Sequence, residues 1–424
     1  MNRRRIAAAR PAAALVTAAI LAAAAIAAAA AAGCSPVPKN LDPPCFRTGD
    51  GPAMAGQEPM LHIDIRQEDG KVRLSGLEGV YWGGRTDRQN SVLACLAIAM
   101  QARGDNVSYE YLMGVSGAAF RLQFNWCPSA ACSPCGFNCV DTAVEATGQP
   151  IEWIDTGKDS PTRDPAAARS AIRASIDSGV PLLYASEECG LVVGYVPGAD
   201  DELLVRPYSA DKEGYRTTAA WPWAIGVLGP RTGAPARHGL LTRSLNRAIG
   251  LAEMAAAGDY TSGQAAYERW IRDLEAGDEK AVYRVAQAGR PADAGAGVEY
   301  KLTDLPPDKL RDAMLGNAYT YCCLIDARLA AARFLRGVAV EFEPAASGHL
   351  LKAADLYDSL QLKLCRERGV APFPWDLAGG AAWTRQMRLR QAALLKEAAD
   401  LDRQAIVEVR AALKADEGRA VAGK

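Results

Sequence analysis

The most continuous hydrophobic pattern in the first half of the chain lies between residues 90 and 104. Its apolar positions follow helical spacing with little polar interruption, at Val92, Leu93, Leu96, Ala97, Ala99 and Met100. Asn90 or Ser91 can cap the start of this helix, and Gly104 favours its end, because glycine accepts the left-handed conformation of a helix terminus. The pattern predicts one buried helix. Gly114 and Gly117 predict a tightly turned segment after it.

Shorter apolar runs around this helix predict strands. A hairpin is predicted before it at 61–74, and three runs separated by turn residues follow it at 180–184, 187–195 and 203–208. Such spacing is typical of a meandering antiparallel sheet. With further helices predicted at 140–146 and 164–178 and a strand at 151–154, residues 59–235 are expected to form an α+β domain in which the helix packs on the sheet.

The pattern changes to long helices near residue 236. One apolar stripe runs over about five turns at steps of three and four residues, through Leu394, Ala398, Leu401, Ala405, Val409 and Leu413. Similar stripes cover 318–338 and 349–364, and no fixed-period repeat is present. Residues 236–424 are therefore expected to form an all-α bundle.

The amino terminus is typical of an export signal. Four arginines precede an apolar run from Ala12 to Ala32, and the run ends in Gly33-Cys34. This junction resembles a bacterial lipobox, which implies a signal peptide at 1–33 and a lipid, such as palmitate, on Cys34. Residues 34–58 would then be a Pro/Gly-rich tether. The expected location is the cell envelope, membrane-anchored and facing away from the cytoplasm, with an uncleaved membrane-spanning anchor as the alternative.

Charge and cysteine content narrow the possible partners. The net charge of −1 gives no electrostatic reason to expect nucleic acid, and no cofactor is predicted. Cys127, Cys132, Cys135 and Cys139 fall within thirteen residues. These cysteines can form local disulfides, stay as free thiols or bind a metal. Because no second cysteine pair stands at the usual zinc separation, no metal site is included in the prediction.

The central helix also carries a family resemblance. Its Ala94-Cys95-Leu96-Ala97 segment, with Met100 and Gly104, resembles the nucleophile helix of papain-like peptidases that cut double-glycine leaders from bacteriocins. It looks still more like the N-terminal domain of the butirosin-biosynthesis acyltransferase. The resemblance implies a papain-like fold with a cysteine nucleophile at the helix start, about thirteen residues before the closing glycine. That position holds Ser91. A second register makes Cys95 the nucleophile, with Gln89 as the oxyanion-hole residue.

The same resemblance assigns the partners of the nucleophile. In these families the strand that ends in Val-Gly-Tyr begins with the catalytic histidine, and the next strand ends in the Asp-Pro that orients it. Here those positions fall on Glu188 or Cys189 and on Arg206. The three histidines lie elsewhere, and His238 is the only candidate base among them. The catalytic candidates are therefore Ser91, Cys95, Glu188, Cys189 and Arg206.

A papain-like cleft that has lost its Cys–His dyad is expected to bind a peptide or small ligand without turning it over. Arg206 can grip a carboxylate or phosphate, and Glu188 can act as a base if it is desolvated. Further binding candidates are Gln89, Ser116, Arg121 and Trp126. The alternative function is a diverged cysteine hydrolase or acyltransferase that uses Cys95 or Cys189. A third possibility is a structural envelope protein whose helical part binds a partner.

Overall fold

The structure, a computed structural model, combines an antiparallel sheet with helices. It describes residues 61–422 except 85–86, 127–136, 200–201, 211, 259, 277–281, 286–297, 302–306, 368–369, 379 and 381. The strands are β1 Asp64–Glu68, β2 Lys71–Ser75, β3 Gln123–Phe124, β4 Ile151–Asp155, β5 Leu182–Ala185, β6 Cys189–Tyr195, β7 Leu203–Arg206, β8 Arg216–Thr218, β9 Ala224–Leu228, β10 Ala256–Ala257, β11 Tyr260–Ser262, β12 Val282–Val285 and β13 Val298–Lys301. The helices are α1 Ser91–Ala102, α2 Tyr109–Ser116, α3 Cys139–Thr147, α4 Pro165–Asp177, α5 Arg237–Glu253, α6 Gly263–Glu275, α7 Pro307–Ala339, α8 Pro344–Arg366, α9 Pro374–Ala378 and α10 Arg385–Ala422.

The main sheet has eight strands and is antiparallel throughout. Its order is β1-β2-β6-β5-β9-β4, and β7 pairs with β6 on one side and β8 on the other. The expected hairpin and the three successive strands β5, β6 and β7 are confirmed. The sequence pattern missed β9, which inserts between β5 and β4.

Helix α1 packs on β5 and β6 and lies almost wholly in the core. The segment after it is not the turned structure that its glycines predicted, because residues 109–116 form helix α2. Ser108 caps this helix by accepting a hydrogen bond from the backbone N–H of Tyr111. Gly114 lies inside this helix. A glycine is needed at this position because a Cβ would lie 2.0 Å from the ring of Phe334. The turn comes at Gly117, which has a left-handed φ of 89°, and Gly104 has the left-handed conformation expected at the end of α1, with φ of 87°.

The carboxyl-terminal half consists mainly of long helices, as expected, but it is not all helical. Strands β10 and β11 extend β3 into a three-stranded sheet, and β12 pairs with β13. Helices α7, α8 and α10 pack side by side, and α7 also packs against α2. One hydrophobic core contains Leu93 and Val192 from the first half together with Phe334 and Val409 from the second. Along the described ranges, no helix is long and apolar enough to cross a bilayer.

Candidate functional site

The start of α1 is capped by Asn90. Its side chain accepts a hydrogen bond from the backbone N–H of Leu93 at 3.2 Å. Of the two capping candidates, the structure therefore selects Asn90 and leaves the hydroxyl of Ser91 for other contacts.

The hydroxyl of Ser91 connects α1 to the beginning of β6. Its Oγ donates a hydrogen bond to Oε2 of Glu188 at 2.7 Å and accepts one from the backbone N–H of Cys189 at 3.0 Å. Three of the five catalytic candidates are thus brought together. This cluster, Ser91 with Glu188 and the backbone of Cys189, is called the hydroxyl–carboxyl pair below.

The carboxyl of Glu188 is strongly perturbed although part of the residue reaches solvent. Burial of the carboxyl raises its pKa to about 7, the negative charge of Glu187 adds to the rise, and the hydrogen bond from Ser91 opposes it. Near neutral pH this carboxyl is therefore divided between its protonated and ionised forms. The Glu188 carboxyl is therefore desolvated, which is the condition under which Glu188 was expected to act as a base.

Both cysteine candidates are buried thiols, and both are less exposed than Ser91, which is 5% exposed. Cys95 is fully buried, and its Sγ donates to the backbone carbonyl of Cys189 at 3.3 Å. Burial raises the pKa of Cys95 well above its usual range, and the adjacent thiol of Cys189 adds to the rise. Cys189 is only 2% exposed. Since the thiolate is the reactive form, these surroundings are those of structural thiols.

Arg206 does not face a cleft. It is 1% exposed, and its guanidinium donates to the backbone carbonyls of Val80, Lys212 and Gly214 at 2.6 to 2.8 Å. The group also stacks over the ring of Tyr81 at 4.5 Å. The expectation that Arg206 grips a carboxylate or phosphate is therefore not supported, because these contacts commit its side chain to holding the loop that follows β7.

The histidines are also occupied elsewhere. His238 lies 2.9 Å from Asp416, His349 lies 2.6 Å from Glu408, and His62 lies on the exposed hairpin. Their hydrogen bonds and ion pairs along the described ranges connect none of them to Ser91, Cys95 or Cys189.

Two of the four binding candidates have structural contacts. Ser116 is fully buried, and its hydroxyl donates to the carbonyl of Met113 at 3.2 Å. Trp126 is 3% exposed and donates through its indole N–H to Asp273 at 3.0 Å. Ser116 ends helix α2, and Trp126 directly precedes residues 127–136, which lie outside the described residues.

The other two, Gln89 and Arg121, line a cavity between the start of α1 and helix α7. The cavity has a volume of about 30 Å³ and is partly open. Its polar lining comes from Gln89, Asn90, Arg121, Gln123, Thr320 and Asp326. The Gln89 carboxamide donates to the carbonyl of Gly84 and accepts from the hydroxyl of Tyr208, each at 3.1 Å. This space is called the α1–α7 cavity below.

Gln123 is the unusual member of this lining. It is 2% exposed, and neither its Nε2 nor its Oε1 has a hydrogen-bond partner among the residues that the structure describes. A buried polar group without a partner costs about 1–3 kcal/mol of stability. Such a group calls for an explanation, and a ligand or an ordered water is the usual one.

Asp326 closes the opposite wall of the cavity. Its carboxylate accepts hydrogen bonds from the backbone N–H groups of Arg88 and Gln89 and from the hydroxyl of Tyr109, at 2.6 to 3.0 Å. Burial raises its pKa to about 6, and these three donors oppose the rise. Helix α7 thereby fixes the chain just before Ser91, so the second half of the protein helps to position the hydroxyl–carboxyl pair.

Family models and curated proteins give no match to this chain. The functional proposals therefore rest on the residues around the start of α1.

Sequence reasoning missed Gln123 and Asp326. Asp326 had a usable signal, since it is an acidic residue inside the apolar stripe at 318–338. Gln123 had none, because a single glutamine between apolar residues does not show whether its amide has a partner.

The cysteine-rich loop lies largely outside the described residues, as does Cys34. Cys139, at the start of α3, is buried and is not in a disulfide, whereas Cys365 on α8 is disulfide-bonded. Across the described part of the chain, no cluster of three or more His, Cys, Asp or Glu side chains is arranged to hold a metal ion.

Proposed function

We propose that this protein binds a small polar ligand or the end of a short peptide in the α1–α7 cavity. The observation that carries the proposal is the carboxamide of Gln123, which is buried against the cavity and makes no hydrogen bond to any described residue through its donor or its acceptor. A ligand that pairs with this amide would recover a hydrogen bond that the folded chain lacks.

The lining favours a carboxamide, because the Gln123 amide offers a donor and an acceptor side by side. Arg121 and Asp326, which both line the cavity, carry opposite charges and do not together select an anion. A volume of about 30 Å³ admits roughly two waters, or the two or three terminal atoms of a larger ligand. The rest of such a ligand would extend through the open side.

The papain-like identity of the first half is part of the same proposal. It is supported by a buried helix that begins at Ser91, packs on an antiparallel sheet and meets the strand that begins at Cys189. Because one fold hosts many functions, the binding proposal rests on the cavity and not on this identity.

The test is a binding titration of the full-length protein with acetate, acetamide and the dipeptide Ala-Ala, followed by nuclear magnetic resonance and by thermal unfolding. At least one of these probes is expected to bind and to raise the melting temperature. Gln123→Met keeps the side-chain length but removes the amide, so at least a tenfold loss of affinity is expected.

Gln67→Met is the matched control, since Gln67 is an exposed glutamine on β1 and should leave binding unchanged. Failure of all three probes to bind at millimolar concentration would contradict the proposal. Equal affinity of the wild type and Gln123→Met would contradict it as well.

We also propose that the protein acts in the bacterial cell envelope, anchored through a lipid on Cys34. The support is the apolar run that ends in Gly33-Cys34. Cells fed an alkyne analogue of palmitate should produce labelled protein, and Cys34→Ser should abolish the label. Unchanged labelling of Cys34→Ser would refute the anchor and leave the binding proposal intact.

A further inference from the structure

We propose that Ser91 is an acyl-accepting nucleophile with Glu188 as its base, so that the protein takes an acyl group from small activated esters. The proposal is independent of ligand binding in the α1–α7 cavity. It rests on a different set of contacts, those of the hydroxyl–carboxyl pair.

The direction of the hydrogen bond suits this role. Because Ser91 Oγ donates to Glu188 at 2.7 Å, its proton already points at the carboxylate that would remove it. The Oγ is fixed from the other side by the N–H of Cys189. A serine hydroxyl needs such a neighbouring base because it is a weak nucleophile alone.

The start of α1 offers donors for the negative charge that develops on a carbonyl oxygen. The backbone N–H of Leu93 is taken by the side chain of Asn90, and that of Ala94 by its carbonyl. The N–H groups of Ser91 and Val92 lie in the first turn of α1, before the first backbone hydrogen bond of the helix, which the Ala94 N–H donates to Asn90. The first N–H groups of a helix have no intrahelical acceptor, and donors of this kind stabilise tetrahedral intermediates.

Glu188 is ionised in the right pH range for a base. Its raised pKa of about 7 makes it a stronger proton acceptor than an ordinary carboxylate. In the described structure, the charge of Glu187, its neighbour in the chain, raises the pKa of Glu188. The charge of Glu188 in turn raises the pKa of the Cys95 thiol on α1. No cation is among the causes of its shift.

The step can be written for p-nitrophenyl acetate. Ser91 Oγ attacks the carbonyl carbon, and its proton passes to the Glu188 carboxylate. The bond to p-nitrophenolate breaks with its electron pair, p-nitrophenolate leaves, and an acetyl ester remains on Ser91. Glu188 then returns its proton to solvent, and a water molecule hydrolyses the ester to acetate.

The experiment incubates the full-length protein with p-nitrophenyl acetate at pH 8 and follows both p-nitrophenolate release and acetylation by peptide mass spectrometry. The expected result is an acetyl group on Ser91, lost in Ser91→Ala. Glu188→Gln should slow Ser91 acetylation about 100-fold or more, in line with the usual size of general-base catalysis. In the wild type, the rate should rise with pH through an inflection near 7, where Glu188 ionises.

Ser75→Ala is the matched control, because Ser75 is on β2 and its hydroxyl donates to the carbonyl of Asp64, not to a carboxylate. It should leave the acetylation of Ser91 unchanged. Acetylation confined to lysines, a rate that survives in Ser91→Ala, or a flat pH profile of Ser91 acetylation would each overturn the proposal. If Glu188→Gln does not fold, the wild-type pH profile and Ser91→Ala still decide it.

Discussion

The two sides of the start of α1 differ in how their polar groups are satisfied. On the sheet side, the hydroxyl of Ser91 both donates and accepts, and the carboxyl of Glu188 has a donor at 2.7 Å. On the helical side, the Gln123 amide is buried with neither atom paired. The first arrangement is complete within the protein and suits chemistry on a polarised hydroxyl. The second leaves both polar atoms of the Gln123 amide without a partner among the described residues, and a ligand could supply those partners.

The two sides also differ in how they are assembled. The hydroxyl–carboxyl pair joins a helix start to the strand on which that helix packs. The α1–α7 cavity needs three segments that are distant in the chain, namely the residues before Ser91, the stretch at 118–123 and helix α7. Changes in the packing of α7 should therefore disturb the cavity more than they disturb the pair.

The largest effect is expected from Arg328→Met. Arg328 is buried on α7, bonds to Asp402 at 2.5 Å, and donates to the carbonyls of Ala119 and Arg121 beside the cavity. Removing it leaves the Asp402 carboxylate buried without a cation, which costs about 3–5 kcal/mol. Urea unfolding should show this loss in the free energy of unfolding, and probe binding in the cavity should weaken.

The control for this variant is Arg403→Met, at the position that directly follows Asp402 on α10. Arg403 pairs with Asp400 three residues before it, and both side chains are 61% exposed. Such a pair contributes less than about 0.5 kcal/mol. If the two variants lose similar amounts, the buried ion pair does not hold the cavity wall in the way its contacts indicate.

A smaller effect is expected in the pH dependence of stability. Glu188 has a pKa of about 7 in the folded protein against 4.5 ordinarily, so the folded state binds more protons between these values. The free energy of unfolding of the wild type should therefore fall as pH rises from about 4.5 to 7. Glu188→Gln keeps an acceptor for Ser91 and removes this titration, which is on the order of 2 kcal/mol after discounting for the exposed part of the residue.

The measurement is the difference in unfolding free energy between the wild type and Glu188→Gln at pH 5, 6, 7 and 8. Asp326, whose raised pKa of about 6 acts in the same direction, is present in both proteins and largely cancels. A constant difference across this range would show that the carboxyl is not desolvated. The base proposed for Ser91 would then lose its support.

Periodicity predicted the framework of this site well because it depends on local patterns. The apolar run at 92–100 formed α1, the alternation before and after it formed strands of the main sheet, and the stripe from Leu394 formed α10. Ser91, Glu188 and the backbone of Cys189 lie together at the start of α1. The prediction that Gly114 is part of a turn is wrong, because its lack of a side chain is explained by close packing on Phe334 inside helix α2.

The cavity could not be predicted in the same way. Whether a buried glutamine is satisfied depends on which backbone groups surround it, and no periodic pattern records this. Gln149 and Gln123 are both buried. Yet Gln149 donates to the carbonyls of Pro150 and Gly229 and accepts from Arg103, at 2.9 to 3.1 Å, whereas Gln123 has no partner.

These two glutamines give the smallest and most discriminating prediction. Gln149→Met should lower the free energy of unfolding by about 1 kcal/mol, because it removes three hydrogen bonds that a buried amide makes to Pro150, Gly229 and Arg103. Gln123→Met should raise it by about 1 kcal/mol, since methionine fills similar space and removes an unsatisfied amide. Urea unfolding monitored by tryptophan fluorescence, without added ligand, measures both changes.

If the two variants change the free energy of unfolding in opposite directions, Gln123 lowers the stability of the protein. This is common for residues that serve binding. Losses of similar size in both variants would mean that ordered water already satisfies Gln123, because a bridging water can replace a direct hydrogen bond. The α1–α7 cavity would then be a hydrated structural pocket, and the hydroxyl–carboxyl pair would remain the stronger functional candidate on this helix.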